Sequence, residues 1–234
     1  MKKNAILVIL LLLTATSSHA QFRAGIKGGA NVSSIDMSMQ SLELEIYKPR
    51  VGFHAGLMAE YMFSSHFGLH TELMYFNSGA NIDADKYLQG VETPEGVEME
   101  GHVSMNTFQL PLYVKTKFIL ANNLQLYVMG GGFATYSPIA NQHVRLKGGG
   151  ESMKVKWSLF DPKIQIMDEE ESNIYMQQRF NAGVAVEAGI EMDRMVVCIG
   201  FRQVLNNMAA LGYLGVGKPT TKMWTANLSV GYYF

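Results

Sequence analysis

Charge and cysteine are scarce in this 234-residue sequence. Only 17% of residues are charged, 19 basic against 20 acidic, and no basic block stands out. The electrostatic footprint that nucleic-acid binding requires is therefore missing. Cys198 is the only cysteine, which excludes a disulfide framework. Disorder is excluded by the opposite quantity, an apolar content of 48%. After Gln21 no apolar run reaches 18 residues, so a membrane helix has no place in the rest of the chain. Strands that face lipid on one side are not excluded, because they need only alternate residues to be apolar and average hydropathy hides them.

What is present in quantity is glycine (23), phenylalanine (12) and tyrosine (11), a composition that favours many short strands over helices. The N-terminus has its own pattern. Lys2 and Lys3 precede an apolar run from Ala5 to Leu13, and Ser18-His19-Ala20 places small residues before a cut between Ala20 and Gln21. This predicts a cleaved secretory signal peptide over residues 1–20, followed by one domain over 21–234. No cysteine follows the cut, which argues against a lipid anchor. Loss of two lysines and no acid takes the net charge from −1 to −3.

Eight stretches alternate with period two, at about 22–31, 51–63, 66–77, 106–118, 124–136, 179–191, 194–204 and 222–234. Each is long enough to cross a bilayer as a tilted strand. In the fourth, Phe108, Leu110, Leu112, Val114 and Phe118 oppose Gln109, Tyr113, Lys115 and Lys117. Long connections (32–50, 78–105, 137–178, 205–221) alternate strictly with tight turns at Ser64-Ser65, Ala121-Asn122-Asn123 and Met192-Asp193. An up-and-down meander collects all the long loops at one end. That is the asymmetry of outer-membrane barrels, in which an even strand count leaves both termini on the periplasmic side. Aromatics also sort to strand ends: Phe53, Tyr75, Phe108, Tyr136, Phe180, Phe201 and Trp224 at one, Phe22, Tyr61, Phe63, Phe67, Phe118, Tyr232 and Phe234 at the other. Two girdles at the membrane interfaces are the expected result. The predicted fold is an all-β, eight-stranded antiparallel up-and-down transmembrane β-barrel in the cell outer membrane.

The opposite faces collect charge. Lys27, Glu72, Lys115 and Glu187 fall near mid-depth, Arg23, Glu60, Lys117 and Glu191 nearer the periplasmic end, and Arg202 nearer the outer mouth. Eight strands enclose only enough room for side chains. These residues are expected to form a lumenal ion-pair network, balanced within each layer, that plugs the barrel; a conducting pore is the rival. A soluble lipocalin-like barrel fits worse, because its calyx is apolar and its outside polar.

Phe22-Arg23-Ala24-Gly25-Ile26-Lys27-Gly28-Gly29-Ala30-Asn31, Phe108-Gln109-Leu110-Pro111-Leu112-Tyr113-Val114-Lys115 and the terminal Gly231-Tyr232-Tyr233-Phe234 resemble the PorT-like outer-membrane β-barrel family of Bacteroidetes. The resemblance covers the whole chain after the signal peptide. It implies a small eight-stranded barrel, usually of unassigned function, whose founding member is linked to a secretion and gliding apparatus. It also implies that Phe234 acts as an assembly signal for the outer-membrane assembly machinery. Pro111 stands mid-strand in the family pattern, where a local bulge is expected.

Other constellations have plainer readings. His54, His66 and His70 with Glu60 and Glu72 could ligate a metal, but His66 and His70, on one inward face, stand about 13 Å apart along a strand at roughly 3.3 Å per residue. Lumen filling accounts for them, and no metal or cofactor is expected. An enzyme acting on lipid A, phospholipid or peptide would draw on His102, His143, Asp161 and loop serines, none of them in a Gly-x-Ser-x-Gly context; no catalysis is expected. Gly130-Gly131-Gly132 lies within a strand and reads as close packing or a kink rather than a phosphate loop. Cys198 reads as a small inward filler.

In the third long loop, Arg145, Lys147, Lys154, Lys156 and Lys163 flank Gly148-Gly149-Gly150, with Val144, Leu146, Met153, Val155, Trp157 and Leu159 alternating between them. This predicts a β-hairpin standing above the membrane. Its cations either meet lipopolysaccharide phosphates or are merely solvated and offset by Asp168-Glu169-Glu170-Glu171. The expected partners are outer-membrane lipid and lipopolysaccharide, the assembly machinery, and an unknown protein at the outer loops. The expected state is a monomer.

Overall fold

The computed structural model describes residues 22–39, 42–87, 98–121, 123–148, 151–160, 176–211 and 219–234. The expected cleavage site at Ala20 and Gln21 lies outside them, as do Asp161, Lys163 and the acidic run 168–171. In chain order the elements are β1 (Phe22–Met39), β2 (Leu42–Leu44), β3 (Tyr47–Met62), β4 (Phe67–Ile82), α1 (Ala84–Tyr87), β5 (Glu98–Ala121), β6 (Leu124–Gly148), β7 (Glu151–Ser158), β8 (Met176–Gln177), β9 (Phe180–Met192), β10 (Met195–Val204), β11 (Ala209–Leu211) and β12 (Thr220–Tyr233). Eight of these, β1, β3, β4, β5, β6, β9, β10 and β12, pair antiparallel with their neighbours, and β12 closes on β1 over Gly25↔Tyr233 to Ser38↔Thr220. Closure leaves no sheet edge in the barrel wall, as a spanning sheet in lipid requires.

Following paired residues once around, from Phe22 through Tyr61, Leu69, Val114, Gly130, Val186, Phe201 and Ala226, returns to β1 at Val32, ten residues farther on. Ten residues of rise over eight strand spacings tilt the strands by about 40°. Burial alternates along most of the wall. Outward residues such as Leu57, Leu110, Leu112, Val114 and Ile199 are all more than half exposed, whereas their inward neighbours are buried. Aromatic pairs mark the two rims, among them the cross-strand pairs Tyr136–Phe180 (centroids 4.8 Å apart), Tyr75–Phe108 (5.7 Å) and Phe201–Trp224 (6.3 Å) at one and Tyr61–Phe63 (5.4 Å), at the end of β3, at the other. Among the described residues no helix is long and apolar enough to cross a membrane.

Four expectations are corrected. Much of the predicted long-loop sequence continues the barrel strands: β1 runs on to Met39, β5 begins at Glu98, and β6 runs without a break into the expected hairpin, whose second strand is β7. Polar residues in the first two long loops broke the alternation that sequence reading follows, yet backbone pairing continues from Asn106↔Ile139 to Glu98↔Lys147. His66 is not inward on a strand. It lies exposed in the turn before β4, with Nδ1 2.8 Å from Ser65 Oγ.

Pro111 causes no bulge. The register of β4 on β5 is the same at Thr71↔Leu112 and Met74↔Gln109, and only the two intervening pairs drop out. The Thr71 hydroxyl donates to the Pro111 carbonyl at 2.7 Å and takes up part of the broken ladder. Nor is there a kink at the glycine triplet, where pairing is uninterrupted. Gly131 alone is sterically required, because a Cβ there would sit 1.9 Å from the Leu112 carbonyl oxygen. Gly79 combines φ of 143° with a Cβ position 2.0 Å from the Val103 oxygen, so only glycine fits that approach of β4 to β5.

Toward the long-loop end, here called the outer end, the lumen turns apolar. Leu159, Phe160 and Met208 are buried against Met105, Phe133, Val204 and Met223. Backbone bonds from Gln177 to Leu159, Gln178 to Met208 and Met208 to Thr221 hold this cover in place.

Candidate functional site

Two constructions carry chemistry: the charged lumen and a cationic face beyond the outer rim. Inward positions near the opposite end gather Arg23 (β1), Glu60 (β3), Lys115 and Lys117 (β5) and Glu191 (β9). Glu60 accepts from Arg23 and Lys115 at 2.5 Å and from Lys117 at 2.6 Å. Glu191 lies 2.5 Å from Arg23, 3.1 Å from Lys117 and 3.7 Å from Lys115. Above them, Lys27 donates to Glu72 and Glu187, both at 2.6 Å, and Arg202 stands 3.6 and 3.9 Å from the same carboxylates. All nine predicted lumenal residues thus fall in two clusters, three cations with two carboxylates and two with two.

That grouping differs from balanced layers. Lys115 belongs with Glu60, not with Lys27, and Arg202 belongs with Glu72 and Glu187. Position along each strand misassigned them because the ten-residue stagger shifts the level by about one residue at every step around the wall.

Sequence reading placed His70 in the lumen but missed Tyr233 and Tyr127. Tyr233 donates to Glu60 at 3.1 Å and lies under the Arg23 guanidinium, 4.1 Å from its ring centroid. Tyr127 holds Lys115 over its ring at 4.0 Å and donates to Glu187. His70 Nε2 meets Glu72 at 3.1 Å, and its Nδ1 lies 3.5 Å from Tyr233, joining the two clusters. Inward parity on β4, β6 and β12 was the signal available for these. His54 stands apart, with Nε2 2.8 Å from Ser229. Among the described residues no group of three or more His, Cys, Asp or Glu could hold a metal, and Cys198 is buried.

The second construction depends on one bulge. Asn106 pairs with Ile139 and Phe108 with Tyr136, so Thr107 alone opposes Ser137 and Pro138. The extra residue reverses the parity of β6 above it. Ile139, Asn141, His143, Arg145 and Lys147 then continue the outward wall, with Val144 and Leu146 on the other side. β7 pairs Lys156 with His143, Lys154 with Arg145 and Ser152 with Lys147, while β5 brings His102 opposite His143 and Glu100 opposite Arg145. Arg145, Lys147, Lys154 and Lys156 therefore lie on one face, directly above the aromatic rim at Phe108 and Tyr136. Glu100 lies 2.8 Å from Lys147 and 3.9 Å from Arg145. Lys154 and Lys156 are exposed.

On this face the His102 and His143 rings stack, with centroids 4.6 Å apart and planes 17° from parallel. Burial lowers both imidazoles below their ordinary range. Their own proximity and Arg50 add to this for His102, and Lys156 and Arg50 add to it for His143. A base depressed by folding leaves stability unchanged while both states are neutral. As pH falls through about 6.5 the opened hairpin takes up protons first, so the closed form weakens until the folded groups titrate. Protection factors for amide exchange across Gly101–Val103 and Gln142–Val144, taken relative to the intrinsic exchange rate at each pH, are expected to fall between pH 7.5 and 5.5 in the native protein and to stay level in a His102→Phe, His143→Phe variant. Equal pH profiles for the two proteins would refute it.

Similarity to known proteins follows the fold. Over 92% of this chain and 99% of the other, the chain resembles Ail, the attachment invasion locus protein of Yersinia pestis, at 14% identity and a TM-score of 0.36. OprG from Pseudomonas aeruginosa is similar at 16% identity over 91% and 95% of the two chains, with a TM-score of 0.45. Neisserial surface protein A matches at 10% identity over 90% and 99%, with a TM-score of 0.38. A search of curated proteins returns no match. Residues 15–210 match the family model described as outer membrane protein beta-barrel domain. With a closed eight-stranded wall, apolar outside and charged within, the chain belongs to this outer-membrane β-barrel family and is a protein of the outer membrane.

Proposed function

We propose that this protein is a closed barrel that works by contact rather than by conduction or catalysis, and that its outward cationic face binds the phosphates of lipopolysaccharide. The observation that carries this is the placement of Arg145, Lys147, Lys154 and Lys156 on the upward continuation of the lipid-facing wall, just above the aromatic rim. Phosphates of an outer-leaflet glycolipid lie at that level, and exposed Lys and Arg are suited to pair with them. Glu100 offsets only part of the charge. The expected test is co-purification with lipopolysaccharide from native membranes. Replacing all four cations by Gln should reduce bound lipopolysaccharide severalfold while heat-modifiable migration stays unchanged. Equal loading of the two proteins would overturn the proposal.

The lumen supports the non-conducting half. Two ion-pair clusters and the apolar cover of Leu159, Phe160 and Met208 occupy successive levels of the barrel. Planar bilayers containing the purified protein are expected to show no large, stable single-channel steps; such steps would sink it. We place the chain among PorT-like barrels on the three sequence stretches quoted above, with a monomeric state, periplasmic termini and Phe234 as the assembly signal. A structural or binding role through the outer loops fits this placement better than the alternative, a lipid-modifying enzyme or an accessory of a secretion or gliding apparatus.

A further inference from the structure

The ion clusters hold five cations, Arg23, Lys27, Lys115, Lys117 and Arg202, against four carboxylates, Glu60, Glu72, Glu187 and Glu191. The fifth cation lies in the lower cluster, where Arg23 is partly exposed; the upper cluster is balanced in number, but a buried charge out of hydrogen-bond reach of its partners is still unfavourable. Arg202 is the least well served. Glu72 and Glu187 are taken by Lys27 at 2.6 Å and reach Arg202 only at 3.6 and 3.9 Å, both through Nη2. All three guanidinium nitrogens are buried without a hydrogen-bond acceptor, although the residue is only 4% exposed. Its flat face rests on Phe76, 4.4 Å from the ring centroid.

Arg202 borders a cavity of about 20 Å³ between the upper ion cluster and the apolar cover. That is room for one or two water-sized occupants. Among the described residues no carboxylate lines it. Its polar wall carries Gln109, whose Nε2 also lacks an acceptor, the hydroxyl of Ser78, which has no partner, and the Thr107–Ser137 hydroxyl pair at 2.8 Å, while Met105 and Met208 close the other side. Donors without acceptors on Arg202 and Gln109, a guanidinium held 3.6 and 3.9 Å from its carboxylates, and an apolar roof together specify a singly charged, weakly hydrated, roughly spherical guest. We propose that this cavity is a binding site for a small monovalent anion of the halide class, held by Arg202 with Gln109 and the wall hydroxyls, which supplies the acceptor that Arg202 lacks. A divalent anion exceeds the single charge of Arg202, and organic anions such as gluconate exceed the volume.

Bromide is a suitable probe for the full-length protein folded in detergent. At constant ionic strength, replacing gluconate by bromide should raise the midpoint of heat-modifiable unfolding progressively with bromide concentration, as expected for a ligand of the native state. Crystals grown in bromide should show one anomalous peak between Arg202 and Gln109. Gln109→Leu, which removes a donor and leaves every ion pair intact, should weaken the apparent bromide affinity by about tenfold, and Arg202→Gln should abolish both the shift and the peak. Should Arg202→Gln fail to fold, Gln109→Leu still decides the matter. Identical midpoints in bromide and gluconate, a peak elsewhere, density for water alone, or an undiminished bromide shift in Gln109→Leu would each overturn the assignment.

Discussion

Leu112→Arg is expected to destabilise the folded barrel by about 2–4 kcal/mol and to impair its assembly, because it sets a charge against hydrocarbon near mid-depth. Leu112 is 59% exposed on the outward face of β5, paired with Thr71 on one side and Gly132 on the other. Its neighbours on the outward face of β5, Leu110 and Val114, are equally bare. The carboxylates on that face of β5, Glu98 and Glu100, lie beyond the outer rim and at least about 40 Å along the strand, out of the guanidinium's reach, so the side chain would have to reach the membrane interface. Urea titration of the refolded protein in lipid vesicles measures the loss. A control at Tyr113→Phe, one residue along but inward, should change stability much less. A Leu112→Arg variant that inserts and heat-shifts like the parent would refute the outward assignment of β5.

A second large effect is expected inside. Glu60 is joined to Arg23, Lys115 and Lys117, all within 2.6 Å, and its side chain is fully buried. Glu60→Gln keeps the volume and removes the charge, leaving three cations facing Glu191 alone, at an expected cost of about 3–5 kcal/mol. Lys117→Met removes the surplus cation of the same cluster and keeps its apolar stem. It should cost clearly less, because Arg23 and Lys115 still hold Glu60 while Arg23 holds Glu191 at 2.5 Å. Equal losses for the two variants, read from the same urea titrations, would show that charge balance does not govern the cluster.

The pattern of strands and the sidedness of each were legible because period-two alternation is a local property. Phe108, Leu110, Leu112 and Val114 had to lie on one face and Gln109, Tyr113 and Lys115 on the other, whatever the rest of the chain did. The same parity put all nine lumenal charges inward. Which charges meet was not legible, since Lys115 finds Glu60 rather than the Lys27 level through a stagger that only ring closure fixes. Tyr233, Tyr127 and His70 were readable as inward but not as partners. Strand length failed at the outer end for a related reason: above the membrane no lipid enforces apolar alternation, so β1 and β5 continue through sequence that looks like loop, whereas the alternating residues on both sides of Gly148-Gly149-Gly150 were readable as a hairpin.

By itself, then, the sequence determined an outer-membrane barrel with a polar lumen, because a bilayer imposes one residue-by-residue rule on every strand that crosses it. Tertiary structure alone decided what the two ends of that barrel present. The extra residue at Ser137-Pro138 turns Arg145 and Lys147 outward and Val144 and Leu146 away, since a bulge shifts parity without leaving a mark in local hydropathy. The closure of β12 on β1 sets the tilt, and the tilt places Arg202 beneath a donor-rich cavity with its carboxylates just out of reach.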